Sequence, residues 1–282
     1  MADDSHRAGD ALIAALQAPT GAPASPSPNT AVVVAHPDDE VVGIGSRLPR
    51  LASAHFVYVT DGAPRDGRDA STHGLSVAEY REARRRERDE GLRLCGIAPS
   101  QAVDFGCVDQ EAALELVDRS RRLADLFTQW GTEAVITHPY EGGHPDHESA
   151  AFMVHAAAAL LRARGQAAPD IVEMTSYHRG RDGLRTGHFL PGERGQVTVQ
   201  LTPEELALRH ALIAAHVTQR QTLTIFHGVT QEGWRPAPAY DFGRRPHEGP
   251  LWYEHLGWPI DGTRFSQLAT EALRELGLEA PL

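Results

Sequence analysis

Apolar residues along this chain come in short runs separated by amphipathic stretches. AVVVA (31–35), HFVYVT (55–60), AVDF (102–105), EAVITH (133–138) and DIVEMTSY (170–177) read as strands. Between them, helical spacing is found near 77–95, 111–130 and 147–164. Such alternation predicts an α/β fold with a mostly parallel sheet and helices on both faces. Further on, QVTVQL (196–201) reads as a strand and TPEELALRHALIAAHVTQR (202–220) as a helix. Thr202 is placed to cap that helix, with Pro203 in its first turn and Glu205 at capping-box spacing. No internal repeat is present.

The two ends depart from this pattern. Residues 8–17 have the makings of a short helix, but APTGAPASPSPNT (18–30) has no apolar period, so residues 1–30 read as a flexible leader rich in Pro, Ala and Ser. The folded core is expected over 31–220. Beyond Gln221 the chain is rich in Pro, Gly and aromatic residues until an amphipathic pattern near 263–277, which predicts an irregular C-terminal extension over 221–282, packed on the core and closed by a helix.

Composition narrows the class. A hydrophobic share of 41% and a charged share of 23% are ordinary for a globular protein, which argues against a disordered chain. The net charge of −11 opposes non-specific attraction to nucleic acid or anionic lipid. Two cysteines, Cys95 and Cys107, lie in apolar or helical segments and read as buried thiols. There is no apolar run long enough to span a bilayer, and the acidic N-terminus does not resemble a signal peptide, so a cytoplasmic location is expected. An oligomer is compatible with the sequence.

Candidate chemistry sits where the predicted strands end. AVVVA runs straight into His36, Pro37, Asp38, Asp39 and Glu40, and in an open parallel sheet ligands bind beyond the carboxyl ends of strands. His36 and Asp39, three apart around a tight turn, are residue types that ligate zinc. Beyond another predicted strand, THPYEGGHPDHESA (137–150) carries His144 and His147 at the same spacing, with Gly142 and Gly143 permitting a close approach. Either cluster alone reads as an N-cap with turn acids. Together they supply enough donors for one cation with acid and base groups to spare.

AHPDDE together with HPDH resembles the PIG-L/LmbE-like zinc-dependent de-N-acetylases, which include the deacetylases of glycosylphosphatidylinositol, mycothiol and bacillithiol biosynthesis. TDG (60–62), Arg84 to Glu87 ahead of LCGI, and H-x-T-Q at His216 to Gln219 are lesser matches, so the resemblance runs from about Ala31 to Gln219. It implies a Rossmann-like three-layer α/β sandwich. By position it implies that His36, Asp39 and His147 hold Zn2+, that Asp38 is the general base, that His144 stabilises the transition state and that Asp146 orients the His144 imidazole. Fe2+ or another divalent ion suits the same donors. Three protein ligands leave a position for water, whose pKa the metal lowers. Glu40 is expected to cap a helix or support a ligand.

Other residues are weighed against plainer roles. The arginines of EYREARRRERDEGLRL (79–94) are interleaved with acids at helical spacing and read as a solvated face laced with ion pairs; only Arg84 gains a substrate role from the resemblance. TDGAPRDGRDASTHG (60–74) is a long connection at the active edge, with Asp61 as its candidate substrate contact. His138 is expected to brace the loop, and His216 is a candidate for the site wall. Trp234, Tyr240, Trp252, Tyr253 and Trp258 are candidates to line a sugar or aglycone pocket, although core packing suits most of them. The leading expectation is a zinc-dependent hydrolase that removes an N-acetyl group from a small-molecule amino sugar or glycoconjugate. A metal-dependent esterase or phosphoesterase, and a metal-stabilised binding protein without turnover, are the alternatives.

Overall fold

A computed structural model describes residues 7–18, 27–192 and 195–282. In chain order the elements are α1 (Arg7–Gln17), β1 (Thr30–Val34), α2 (Asp39–Ile44), β2 (His55–Thr60), α3 (Arg68–Thr72), α4 (Val77–Leu94), β3 (Ala102–Cys107), α5 (Leu116–Trp130), β4 (Ala134–Thr137), α6 (Pro145–Ala163) and β5 (Asp170–Met174). After them come β6 (Tyr177–Gly180), β7 (Gly183–Thr186), β8 (Val197–Gln200), α7 (Pro203–Ala215), β9 (Gln231–Pro236) and α8 (Gly262–Leu276). The α/β class with a mostly parallel sheet is the one the apolar pattern predicts.

The main sheet has the order β3-β2-β1-β4-β5-β9-β8, while β6 and β7 form a separate hairpin. The first five strands are parallel; β9 runs antiparallel to both β5 and β8. The order reverses between β1 and β4, which pair as Thr30↔Ala134 through Val32↔Ile136. That neighbour pair is the topological switch point, where the loops leaving two adjacent strands open a crevice.

The central strands are buried on both faces, and alternate residues pack on opposite sides of the sheet. Ala31, Val33, Val57 and Val135 face a core shared with α5, α6 and α8; Val32, Val34, Phe56, Ala134 and Ile136 face a second core shared with α1, α2 and α7. Both cysteines are free and buried, and burial pushes each thiol up to about 12. No helix among the described residues is long and apolar enough to cross a membrane. The α4 arginines pair with acids as their spacing predicts: Arg85 with Glu82 and Asp89, Arg88 with Asp89 and Asp104, Arg93 with Glu90.

Both ends are more integrated than the pattern suggests. Residues 1–6 and 19–26 of the expected leader lie outside the described residues, but α1 buries Leu12, Ile13 and Leu16 in the second core. It is tied to the sheet where the Gly9 N–H donates to Asp170 Oδ2 at 2.9 Å. Arg7–Gln17 thus belongs to the folded body, because an amphipathic helix stabilises itself by burying its apolar stripe. Leu16→Ala should cost ~2–4 kcal/mol in denaturant titration; a loss below ~0.5 kcal/mol, typical of a surface site, would show that α1 does not dock.

The expected irregular extension also contributes β9 to the main sheet, between β5 and β8. QEGWRP carries Gly and Pro and little β-branching, so its pairing comes from tertiary context. The predicted helix 202–220 ends at Ala215, and His216 begins a separate turn over Val217–Gln219. Its capping box, Thr202 with Glu205, is present.

Candidate metal and catalytic site

The loops after β1 and β4 bring the two histidine clusters together. Asp39 starts α2 directly after the turn, and His144 is the N-cap of α6, with Pro145 in the first turn and His147 within it. Close approach depends on glycine: a Cβ at Gly143 would lie 2.2 Å from the Tyr177 carbonyl oxygen, and Gly142 adopts a left-handed φ of 77°.

His36, Asp39 and His147 offer donor atoms that all lie within 4.8 Å of one another. His36 Nδ1 is 3.3 Å from Asp39 Oδ2, and His147 Nε2 is 3.1 Å from Asp39 Oδ1. All three residues are buried, yet His147 Nε2 makes no hydrogen bond. An imidazole nitrogen orphaned beside a carboxylate oxygen is the arrangement expected when both present lone pairs to one cation. The donor set therefore fits a divalent ion of the zinc type. His36, Asp109, His144 and Asp146 form a second close group. There the Asp146 oxygens already accept the Gln110 N–H at 2.6 Å and the Ala112 N–H at 3.1 Å, which leaves them poor metal donors.

The electrostatics favour a cation. Burial alone raises the Asp39 carboxyl, but the imidazoles of His147, His138 and His36 outweigh it and hold the group well below the ordinary range. His36 is pulled the other way: burial disfavours its charge, but Asp109 and Asp39 overcome that and raise it well above its usual value. The negative field that would hold a proton on His36 is equally suited to a metal. His138 stacks on His147 with ring centroids 4.0 Å apart and accepts the Ala35 N–H at 3.2 Å, so it braces both strand ends.

Asp38 stands beside these donors. Arg84 Nη2 donates to its Oδ2 at 3.1 Å, while Arg84 Nη1 donates to the Gly62 carbonyl at 3.1 Å. Burial pushes the Asp38 carboxyl up to about 6, against the pull of Arg84. His144 is kept neutral, first by burial and then by the charges of His36 and His147. Its Nδ1 accepts the Asp146 N–H at 3.1 Å, so its one proton is on Nε2.

Asp146 is where the expected role and the geometry part. Its carboxylate lies 3.8 Å from His144 Nδ1 but 3.2 Å from His36 Nε2. The Asp146 carboxylate orients His36, in the carboxylate–histidine arrangement common behind metal ligands, and only its main chain orients His144. The Gln110 backbone, left-handed at φ 72°, turns its N–H onto that carboxylate.

A cavity of about 250 Å³ is lined by His36, Asp38, Asp39, Arg84 and His144 among others. Asp61, expected to contact substrate, and His216, expected at the site wall, do not line it. Asp61 is taken up by Arg81 at 2.6 Å and by the Ala63 N–H at 3.0 Å, which folds the loop on itself. From that loop Pro64 and Asp69 reach the cavity instead. His216 is fully buried behind it, both ring nitrogens without a hydrogen-bond partner, and burial lowers it to about 3; Gln219 of the same H-x-T-Q turn is the residue that faces in. Glu40 does not cap α2, whose N-cap is Asp38; its carboxyl is fully buried, and burial raises it to about 8.

Asp109, Gln110, Tyr177, Leu223, Phe226 and Trp258 were not singled out as site residues by the motifs, apart from Trp258 among the aromatic candidates. Asp109 follows β3 at the same carboxyl edge of the sheet as the two clusters, a signal that the strand-end rule contains. Of the other aromatic candidates, Trp234 and Tyr253 are buried, Tyr240 packs on Tyr140 and Phe242, and Trp252 packs on His255.

Residues 31–158 match the model of the family described as PIG-L: GlcNAc-PI de-N-acetylase. No curated protein sequence matches the chain. Among solved structures, a deacetylase of the teicoplanin biosynthesis pathway, in a complex with bog, aligns with TM-score 0.55 and 16% identity over 74% of this chain and 97% of its own. A teicoplanin deacetylase described as a zinc-inhibited form aligns with TM-score 0.53 and 15% identity over 74% and 97%. The N,N'-diacetylchitobiose deacetylase of Pyrococcus horikoshii aligns with TM-score 0.52 and 20% identity over 84% and 94%. At these identities the likeness is one of fold.

Proposed function

From the match of residues 31–158 to the PIG-L model we propose that this chain is a zinc-dependent hydrolase that removes an N-acetyl group from an amino sugar or glycoconjugate. The observation that carries the reading is the convergence of His36, Asp39 and His147 within 4.8 Å, with Asp38 and His144 in the adjoining cavity. The family description and the deacetylase names of the structural neighbours agree with it.

His36, Asp39 and His147 would hold the ion. A divalent metal bound by three protein donors supplies Lewis acidity and lowers the pKa of water towards neutrality. Asp38, held by Arg84 and raised by burial, accepts a proton as water attacks the amide carbonyl carbon. His144, neutral with its proton on Nε2, donates a hydrogen bond to the carbonyl oxygen as negative charge develops there. When the C–N bond breaks, the proton collected on Asp38 passes to the departing nitrogen, since the His144 proton is engaged by the oxygen. Acetate and a free amine leave in equal amounts. Asp146 and His138 hold His36 and His147 in place throughout.

The test is a panel of N-acetylated amino sugars and their glycosides, scored for free amine and acetate with and without a chelator. Release of both in equal amounts from at least one member is expected, abolished by the chelator and restored by added Zn2+. Release that survives complete metal removal, or none from any member by metal-loaded protein, overturns the reading.

A further inference from the structure

The metal donors and the base come from the 31–158 region, but much of the cavity wall does not. Tyr177 opens β6, Leu223 and Phe226 belong to the turns after α7, and Trp258 comes from the segment before α8. With Val42 they make up the apolar part of the cavity lining; the Tyr177 and Phe226 rings are 5.9 Å apart. Trp258 is half-buried among the exposed residues 255–259, with its ring centroid 4.5 Å from that of His144, so it stands between solvent and the catalytic groups.

The polar side of the cavity is acidic from floor to mouth. Asp38, Asp39, Asp109 and Asp69 all line it, Asp69 at the exposed end. The lining includes one guanidinium, that of Arg84, and both its terminal nitrogens are engaged by Asp38 and the Gly62 carbonyl. The four carboxylates outweigh Arg84 and a divalent ion together. With the metal occupied by the reacting amide, a phosphate elsewhere on the sugar would meet like charge and no cationic side chain free to pair with it, whereas recognition of phosphate relies on such partners. Sugar hydroxyls are good donors to carboxylates, and the apolar face of a ring or aglycone is a good partner for an indole.

We infer that the substrate is a neutral N-acetylated amino sugar with an apolar aglycone, the aglycone packing on Trp258 and the apolar wall, and that phosphorylated amino sugars are rejected by Asp69 and Asp109. This deepens the deacetylase reading and rests on it for the acetyl group. The size agrees: at about 250 Å³ the cavity is smaller than sites that enclose drug-sized ligands, so it takes a single sugar unit and leaves the aglycone at the mouth.

Zinc-loaded protein is tested with N-acetylglucosamine, its 4-nitrophenyl glycoside and its 6-phosphate, by amine release and, independently of turnover, by calorimetric binding. The aryl glycoside should exceed the 6-phosphate by about tenfold or more in kcat/KM and in affinity, a difference that calorimetry resolves. Trp258→Ala should reduce the preference for aryl glycoside over free sugar by about fivefold or more, chiefly through KM, and Trp258→Phe should restore most of it. Equal handling of the phosphate and the aryl glycoside overturns the inference while leaving deacetylation standing. Selective, Trp258-dependent binding of the aryl glycoside without amine release from any sugar sustains the specificity and overturns the deacetylase reading instead. A preference that Trp258→Ala does not alter in protein of unchanged melting temperature removes Trp258 from the site.

Discussion

Asp38→Asn is expected to retain its metal and lose turnover, with kcat lower by about 10²–10⁴ and little change in KM, the range by which positioned general bases accelerate proton transfer. The substitution keeps the shape of the side chain and an oxygen for Arg84 Nη2, which donates to Asp38 Oδ2 at 3.1 Å. It removes only the capacity to take a proton. Metal analysis and steady-state rates on the same sample make the check. A rate within about threefold of the parent, well short of that range, would mean that another group removes the proton and that Asp38 serves only to hold Arg84. Loss of metal together with rate would move Asp38 into the ligand set.

Asp39→Ala is expected to reduce bound metal to below about a tenth of the parent, a loss in keeping with removal of one of three protein ligands. Asp39 contacts both proposed histidine ligands, at 3.3 Å and 3.1 Å, and also accepts the His36 N–H at 2.7 Å. Without it two buried imidazoles face each other with no negative charge between them, and the cation loses both a donor atom and its compensating charge. Turnover should disappear with the metal. Because the turn after β1 also loses a hydrogen bond, the fair comparison is with metal-stripped parent protein. The variant should match that sample in circular dichroism and show no rise in melting temperature when Zn2+ is added, since a ligand that binds only the folded state stabilises it by mass action. Full metal retention would remove Asp39 from the coordination sphere.

How much of this was legible beforehand depends on the distance over which the controlling interactions act. The strands β1, β2, β4 and β5 announce themselves because parallel strands buried on both faces must be apolar almost throughout. The helix over Pro203–Ala215 announces its start because Thr202 and Glu205 satisfy its end groups locally. In contrast, β9 and the docking of α1 owe their existence to surfaces contributed by distant residues. Gln231–Pro236 pairs because β5 and β8 offer open edges on either side, and Leu12 and Leu16 are buried because the sheet presents apolar residues to them.

Within the site the same division holds. His36, Asp38, Asp39, His144 and His147 could be picked from motifs, since metal and proton chemistry restrict residue type and the tight turns restrict spacing. Which neighbour each group serves could not. Asp146 stands two residues from His144 but turns its carboxylate to His36, because α6 directs it towards β1 and the backbone of Gln110 and Ala112 holds it there. Asp61 looked free to meet substrate until Arg81 claimed it, and Asp109, which belongs to neither motif, is placed by the end of β3 at 3.4 Å from His36 Nε2.

The amino-acid sequence by itself determined the α/β class, the strand ends at which chemistry gathers and the kinds of side chain offered to a metal, because these follow from periodicity and donor type. Only the tertiary structure decided that the two clusters meet at the β1–β4 switch point, that Asp146 serves His36, and that Trp258 and the turns after α7 wall the cavity. Those outcomes depend on the directions in which side chains leave elements far apart in the chain, and direction is set by packing rather than by local pattern.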